Sequence, residues 1–190
     1  MNVRIYTPDD LPHVNRREVI RYARGGENDA GTNAVLELCL AELEPELAYK
    51  VVWDEYPITI TGDEIDLTFT KTTSSSLAVN LRGCRRIVLF AATVGISPDR
   101  LSLKYSRISP IKSLLIESIA AERVEALCDV FSSAYENTRP RFSPGYGDLS
   151  LDLQRDIISA LDAGRKIGLT LNESLLMTPT KSVTGIIGIK

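Results

Sequence analysis

Nine consecutive residues, Arg86-Ile87-Val88-Leu89-Phe90-Ala91-Ala92-Thr93-Val94, limit what this chain can become more than any other stretch. Apolar side chains stand at successive positions there instead of alternate ones, and the run is too short and too rich in β-branched and aromatic residues for a buried helix. It reads as a strand covered on both faces, and so as the centre of a sheet. Such a strand needs a layer above it and another below. A chain of 190 residues can supply them, because a polypeptide of this size buries roughly 70% of its unfolded surface, and a single domain over residues 1–190 is expected.

The layers are read from periodicity. Residues 1–13 are an extended lead-in. Asn15 caps a short helix over 16–23 that Gly25 and Gly26 would stop. The basic cluster Arg16, Arg17, Arg21 and Arg24, with Glu18, Glu27 and Asp29 close by, reads as a solvated face, and a second helix covers 32–47 with Ala34, Leu38, Ala41 and Leu43 inward and an irregularity at Pro45. Strands follow at 48–53, 58–61 and 64–70, the last two joined by a tight Gly62-Asp63 hairpin. Ser74, Ser75 and Ser76 cap a helix to Leu81. Ser97 and Pro98 open another through Leu103, and Ser109 and Pro110 open the longest, to about Tyr135. One of its stripes, Leu114, Ser118, Ala121, Glu125 and Cys128, is small and includes an acid. A helix over 149–163, with Leu149, Leu153, Ile157 and Leu161 inward, is stopped by Gly164, and strands at 174–177 and 182–189 close the chain around residues 178–181. The fold class is α+β, a twisted and mainly antiparallel sheet flanked by helices.

Several kinds of chemistry are excluded. With 22 Lys+Arg against 25 Asp+Glu the net charge is -3, which leaves no electrostatic footprint for nucleic acid. Asp9, Asp10 and His13 stand where a signal peptide needs an apolar run, and no segment has the length of a membrane span, so a cytoplasmic protein with no membrane contact is expected. Cys39, Cys84 and Cys128 lack any C-x-x-C spacing and read as buried thiols, with no metal site. His13 is the single histidine, too few for a His-based triad or a zinc hydrolase. Ser109-Pro110-Ile111-Lys112 matches S-x-x-K without its companion motifs, and Gly145-Tyr146-Gly147-Asp148-Leu149-Ser150 begins like a dinucleotide fingerprint but lacks the third glycine and the preceding strand. No catalytic residue is assigned.

One turn does carry binding chemistry. Pro140 and Pro144 stiffen the backbone on either side of Arg141, while Gly145 and Gly147 free it, so that main-chain groups can point outward. Arg141 offers a planar charged fork to a carboxylate or phosphate, and Tyr146 a flat face with a polar tip. A small aromatic zwitterion would satisfy all three features. A plain surface turn, its arginine paired with a neighbouring Asp, would also account for them.

The stretch from Arg141 to the C-terminus resembles the activation domain of cobalamin-dependent methionine synthase, in a stand-alone form. Arg141-Phe142-Ser143-Pro144-Gly145-Tyr146 matches its R-x-x-x-G-Y signature, Leu169-Thr170-Leu171-Asn172-Glu173-Ser174 is similar to its L-T-E-S segment, and Met177-Thr178-Pro179-Thr180-Lys181-Ser182-Val183-Thr184-Gly185 to its M-x-P-x-x-S-V-x-G turn. Upstream, Arg16-Arg17-Glu18-Val19 with Tyr22, and Leu89 to Gly95, look like the free-standing relatives. Gly147-Asp148-Leu149-Ser150 replaces the residues that usually follow G-Y. The resemblance implies S-adenosylmethionine as methyl donor, with its carboxylate on Arg141, main-chain contacts to the adenine side at Ser143 and Gly145, Tyr146 against the site, and Glu125 on an ammonium or ribose hydroxyl. A pair with Arg123 or Arg165 is the structural alternative for Glu125. Cobalamin is implied only on a partner, because His13 lacks the D-x-H-x-x-G ligand context. The implied function is reductive methylation of cob(II)alamin on a corrinoid-binding methionine synthase subunit or related methyltransferase, with an electron from flavodoxin or another reductant. The alternative is a non-catalytic adaptor that docks on a corrinoid protein without binding the donor.

Overall fold

The computed structural model describes residues 1–23 and 30–190. Its main sheet is antiparallel throughout, in the order β1 (Asn2–Tyr6), β2 (Tyr49–Pro57), β6 (Arg86–Thr93), β9 (Ser182–Ile189). The apolar run is β6, held between two neighbours, and every residue from Ile87 to Thr93 is buried. Its alternating side chains feed two cores. Val88, Phe90 and Ala92 join Val51 and Ile187 on one face, while Ile87, Leu89 and Ala91 join Val52 and Ile186 on the other. Full burial of a large apolar side chain is worth roughly 1.5–3 kcal/mol, so β6 organises both layers.

The first face is covered by α1 (Arg16–Tyr22), α2 (Ala30–Leu43), α4 (Ser97–Tyr105) and the 24-residue α5 (Pro110–Ser133). Asn15 caps α1 as expected, its side chain accepting the Glu18 N–H at 3.3 Å. The stop at Gly25 and Gly26, and the acids Glu27 and Asp29 beside Arg24, lie outside the described residues. On α2 the inward stripe is Leu36, Cys39, Leu40 and Leu43, whereas Ala34, Leu38 and Ala41 are exposed. Both stripes obey helical spacing, and packing against α5 selects the bulkier one. Beyond Leu43 a 3-10 turn at Glu44–Glu46 accommodates Pro45.

The second face carries a small sheet of β3 (Thr59–Thr61), β4 (Glu64–Asp66) and β5 (Lys71–Thr73), with α3 (Ser75–Asn80), α6 (Leu153–Ala160) and α7 (Ala163–Ile167). Gly62, at φ 63°, makes the β3–β4 hairpin. The expected strand over 64–70 ends at Asp66, because Thr68 turns the chain at φ 75° and β5 returns beside β4.

Three further expectations change. Residues 2–6 form an edge strand on β2. The helix expected over 149–163 is interrupted, although Leu149, Leu153, Ile157 and Leu161 are all buried. Asp162 takes a left-handed conformation at φ 48°, a second helix begins at Ala163, and Gly168 ends it instead of Gly164. Finally, the two C-terminal strands do not pair with each other. β8 (Met177–Thr178) pairs with β7 (Thr170–Leu171), and β9 pairs with β6 across the whole of its length.

Candidate functional site

Arg141 is placed by the segment that follows α5. Thr138 bridges to Ile189 and Phe142 to Ile186, so four steps along this segment oppose three along β9. The extra residue is a β-bulge, a device that redirects side chains at a sheet edge. Arg139 consequently leaves toward α3, where Nη2 donates to the Arg82 carbonyl at 2.5 Å, and Arg141 leaves toward α5, where Nη2 donates to Glu125 Oε2 at 2.6 Å. Gly185 makes room for the second path, since a Cβ there would lie 3.2 Å from Arg141 Cγ and 2.5 Å from the Phe90 ring.

Glu125 therefore pairs with neither of its expected arginines. Arg123 is held by Glu122 at 2.5 Å and by the Pro12 carbonyl at 2.7 Å, and Arg165 by Asp162 at 2.5 Å. The Arg141 side chain is 19% exposed and that of Glu125 is 42% exposed. Burial opposes the arginine's charge, but the carboxylates of Glu125 and Asp129 favour it, and the guanidinium stays above its ordinary pKa. Burial pushes the Cys128 thiol up to about 12 even beside Arg141, so it stays neutral. Arg141 Nη1 is buried with no hydrogen-bond partner. An orphaned donor on a charged group is costly, and marks a place where an added acceptor stabilises the protein.

Two clefts meet at this ion pair. One, of about 610 Å³, is lined by Asp129, Ser132, Tyr135, Arg139 and Arg141. The other, of about 500 Å³, is lined by His13, Asn15, Glu18, Tyr22, Glu122 and Glu125, with Asp129 shared between them. A carboxylate has its fork on one side, and an ammonium has acids on the other.

Ser143, Gly145 and Tyr146 line neither cleft. They form the turn past Phe142, in which the Tyr146 N–H donates to the Ser143 carbonyl at 3.1 Å and the Gly145 N–H to the Leu149 carbonyl at 2.9 Å. Gly145 adopts φ 88°, open to glycine. Tyr146 is exposed and meets Phe142 edge to face at 6.0 Å, while the Ser143 hydroxyl is buried without a partner. The five candidates thus fall into an ion pair on α5 and a turn beside it.

The turn is anchored by a residue to which the sequence reading gave no role. Asp148 accepts the Ser74 hydroxyl at 2.5 Å, the Ser75 hydroxyl and N–H at 2.8 Å each, and the Ser76 N–H at 3.1 Å. Those hydroxyls and amides hold its carboxyl far below the usual range. Gly147 allows the approach, because a Cβ there would lie 2.6 Å from Ser76 Oγ. The departure from the family pattern after G-Y is therefore a clamp onto the start of α3, and its sequence signal is an aspartate matched to three successive serines. Lys181 is likewise occupied, by Glu117 at 2.6 Å. Ser182 donates to Thr93 Oγ1 and to the Pro179 carbonyl. Among the described residues no group of three His, Cys, Asp or Glu side chains is placed to hold a metal ion, and no helix is long and apolar enough to cross a membrane.

Residues 118–190 match the family described as vitamin B12 dependent methionine synthase, activation domain. A solved structure described as the MetH reactivation domain bound to AdoHcy has a TM-score of 0.67 and 16% sequence identity, over 98% of this chain and 77% of that one. No curated protein matches. The resemblance carried by the three motifs is thereby borne out, and the α+β architecture of antiparallel sheets flanked by helices is that of the reactivation domain. The matched span takes in Glu125, Arg141 and the whole turn, whereas residues 1–117 carry the likeness through their fold.

Proposed function

We propose that this chain is a single-domain S-adenosylmethionine-binding reactivation component, acting on a corrinoid methyltransferase such as a cobalamin-dependent methionine synthase. The observation that carries the reading is the signature arginine, turned by a bulge onto α5 and already holding a carboxylate at 2.6 Å beside an open cleft. The residues fit the donor, since Arg141 Nη1 and the Ser143 hydroxyl are buried without partners. Bound there, S-adenosylmethionine supplies a methyl group to a corrinoid held on the partner protein, with an electron from a reductant such as flavodoxin.

The chain's own part is positioning. Arg141 takes the carboxylate of the donor's amino-acid tail as a charge-assisted fork, and Glu125 and Asp129, across the pair, face its ammonium. Ser143, Gly145 and Tyr146 bound the adenine side from the turn that Asp148 clamps. No proton has to be moved, so the lack of a general base is consistent with the role, and the contribution is orientation of a group that reacts elsewhere.

Equilibrium dialysis with labelled S-adenosylmethionine tests this. Arg141→Ala is expected to weaken retention by about 2 kcal/mol, roughly thirtyfold. Equal retention by wild type and variant would remove the assignment. A second reading, a docking adaptor that binds no donor, is favoured by two donors that are already engaged, Arg141 Nη2 on Glu125 and the Gly145 N–H on Leu149. Absence of retention by the wild type, alone and with its corrinoid partner, would support that reading instead.

A further inference from the structure

On the opposite side of the main sheet from Glu125, cations gather that form no ion pair among the described residues. Arg82 and Arg85 are exposed in the turn between α3 and β6. Arg139 reaches the same turn through its bond to the Arg82 carbonyl, and Lys190, at the end of β9, donates its N–H to the Asn137 carbonyl. Gly188 permits this crowding, since a Cβ there would lie 2.7 Å from Cys84 Sγ and 3.2 Å from Arg139 Cγ. Arg86 has an acidic partner, Glu55 at 2.6 Å. Among the described residues, no acidic side chain forms an ion pair with Arg82, Arg85, Arg139 or Lys190. The excess is local, because the whole chain has a net charge of -3.

A groove of about 410 Å³ adjoins these cations. Ile58, Ile60, Ala78 and Val79 supply its apolar lining, Arg82 contributes a cation and Asp63 an acid. Val79 is 60% exposed although it sits on a helix whose other face is fully buried at Leu77.

We propose that this groove and its arginines are a docking surface for an acidic protein partner, one that presents carboxylates to Arg82 and Arg85 and seats an apolar side chain against Val79. Arginine forks bind carboxylates in pairs, and protein interfaces are enriched in arginine around an apolar centre. The groove has no aromatic side chain on which a nucleobase could stack. One protruding valine is too little apolar surface to enter a bilayer. Because the groove shares no lining residue with either cleft at the Arg141–Glu125 pair, a partner seated on Val79, Arg82 and Arg85 leaves that pair open. The surface is thus independent of donor binding.

The test is an NMR titration of the isotopically labelled full chain with a synthetic acidic peptide, glutamates around one central leucine. Shifts are expected at residues 78–86, and Arg82→Glu with Arg85→Glu should weaken binding about tenfold or more. Arg100→Glu with Arg107→Glu changes net charge equally, at exposed arginines on α4 and in the turn after it that form no ion pair among the described residues. That control should stay within about twofold of wild type. Val79→Ser should weaken the leucine peptide and leave a glycine-centred one unchanged, and both double variants should melt like wild type. Equal losses in the two double variants would overturn the proposal, as would tighter binding of an equally charged polyphosphate or recruitment to phosphatidylserine vesicles through the same arginines. Self-association abolished by Arg82→Glu and Arg85→Glu would reassign the surface to a second copy of the chain, and also overturn it.

Discussion

Gly185 stands directly opposite Phe90 in the β6–β9 ladder, and the Phe90 ring lies over the space where a side chain would be. A Cβ at 185 would meet two ring carbons at 2.5 and 2.7 Å. The ring has no room to retreat, being fully buried and packed on Phe131 with centroids 5.0 Å apart. Overpacking of this kind costs about 1–3 kcal/mol, and a rigid ring in a filled core puts Gly185→Ala at the upper end, about 2–3 kcal/mol. For a chain of this size each kcal/mol lowers the melting temperature by about 2–4 °C, so a loss of roughly 4–12 °C is expected by calorimetry. Arg141 Cγ, 3.2 Å from the added methyl, must also shift by tenths of an ångström, which moves the guanidinium against Glu125. A double-mutant cycle isolates the cause. With Phe90→Leu in the background, Gly185→Ala should cost under about 1 kcal/mol, because the clashing ring is gone. The same cost in both backgrounds, or a loss below about 0.5 kcal/mol in the wild type, would refute the reasoning.

Two further outcomes follow from the polar groups. Arg123 and Glu122 are a buried pair with side chains 4% and 8% exposed, so Arg123→Ala should destabilise by about 3–5 kcal/mol in urea titrations, whereas Glu122→Gln with Arg123→Met should stay near wild type. Asp148 has a folded pKa depressed below its ordinary 3.8, chiefly by the Ser74 hydroxyl and then that of Ser75. Its contribution is complete above about pH 4 and is lost as the pH falls through the depressed value. Asp148→Asn should accordingly be less stable at neutral pH and show a shallower decline in stability below about pH 4, and a parallel decline would dismiss the clamp.

Much of the site was readable as residue types and little of it as geometry. R-x-x-x-G-Y singled out Arg141, and the small stripe on α5 singled out Glu125, yet nothing in their spacing joined them. Sixteen positions separate the two, and they meet because a bulge against β9 aims one at the other. A longer separation hid Asp148, whose serine partners lie more than seventy positions upstream.

What the sequence determined by itself is local. Successive apolar side chains from Ile87 to Val94 demanded a strand covered twice, Asn15 and Ser74 supplied side-chain caps, Gly62 made a hairpin, and three ordered motifs identified the family resemblance. Each of these depends on neighbours a few residues away. The tertiary structure decided which of two stripes on α2 turned inward, that β9 would pair with β6 and not with the strand before it, and that the helix after Leu149 would break at Asp162. Spacing settles which side chains share a face. Which face is buried, and which charge answers another, depends on surfaces that come together only when the chain has folded.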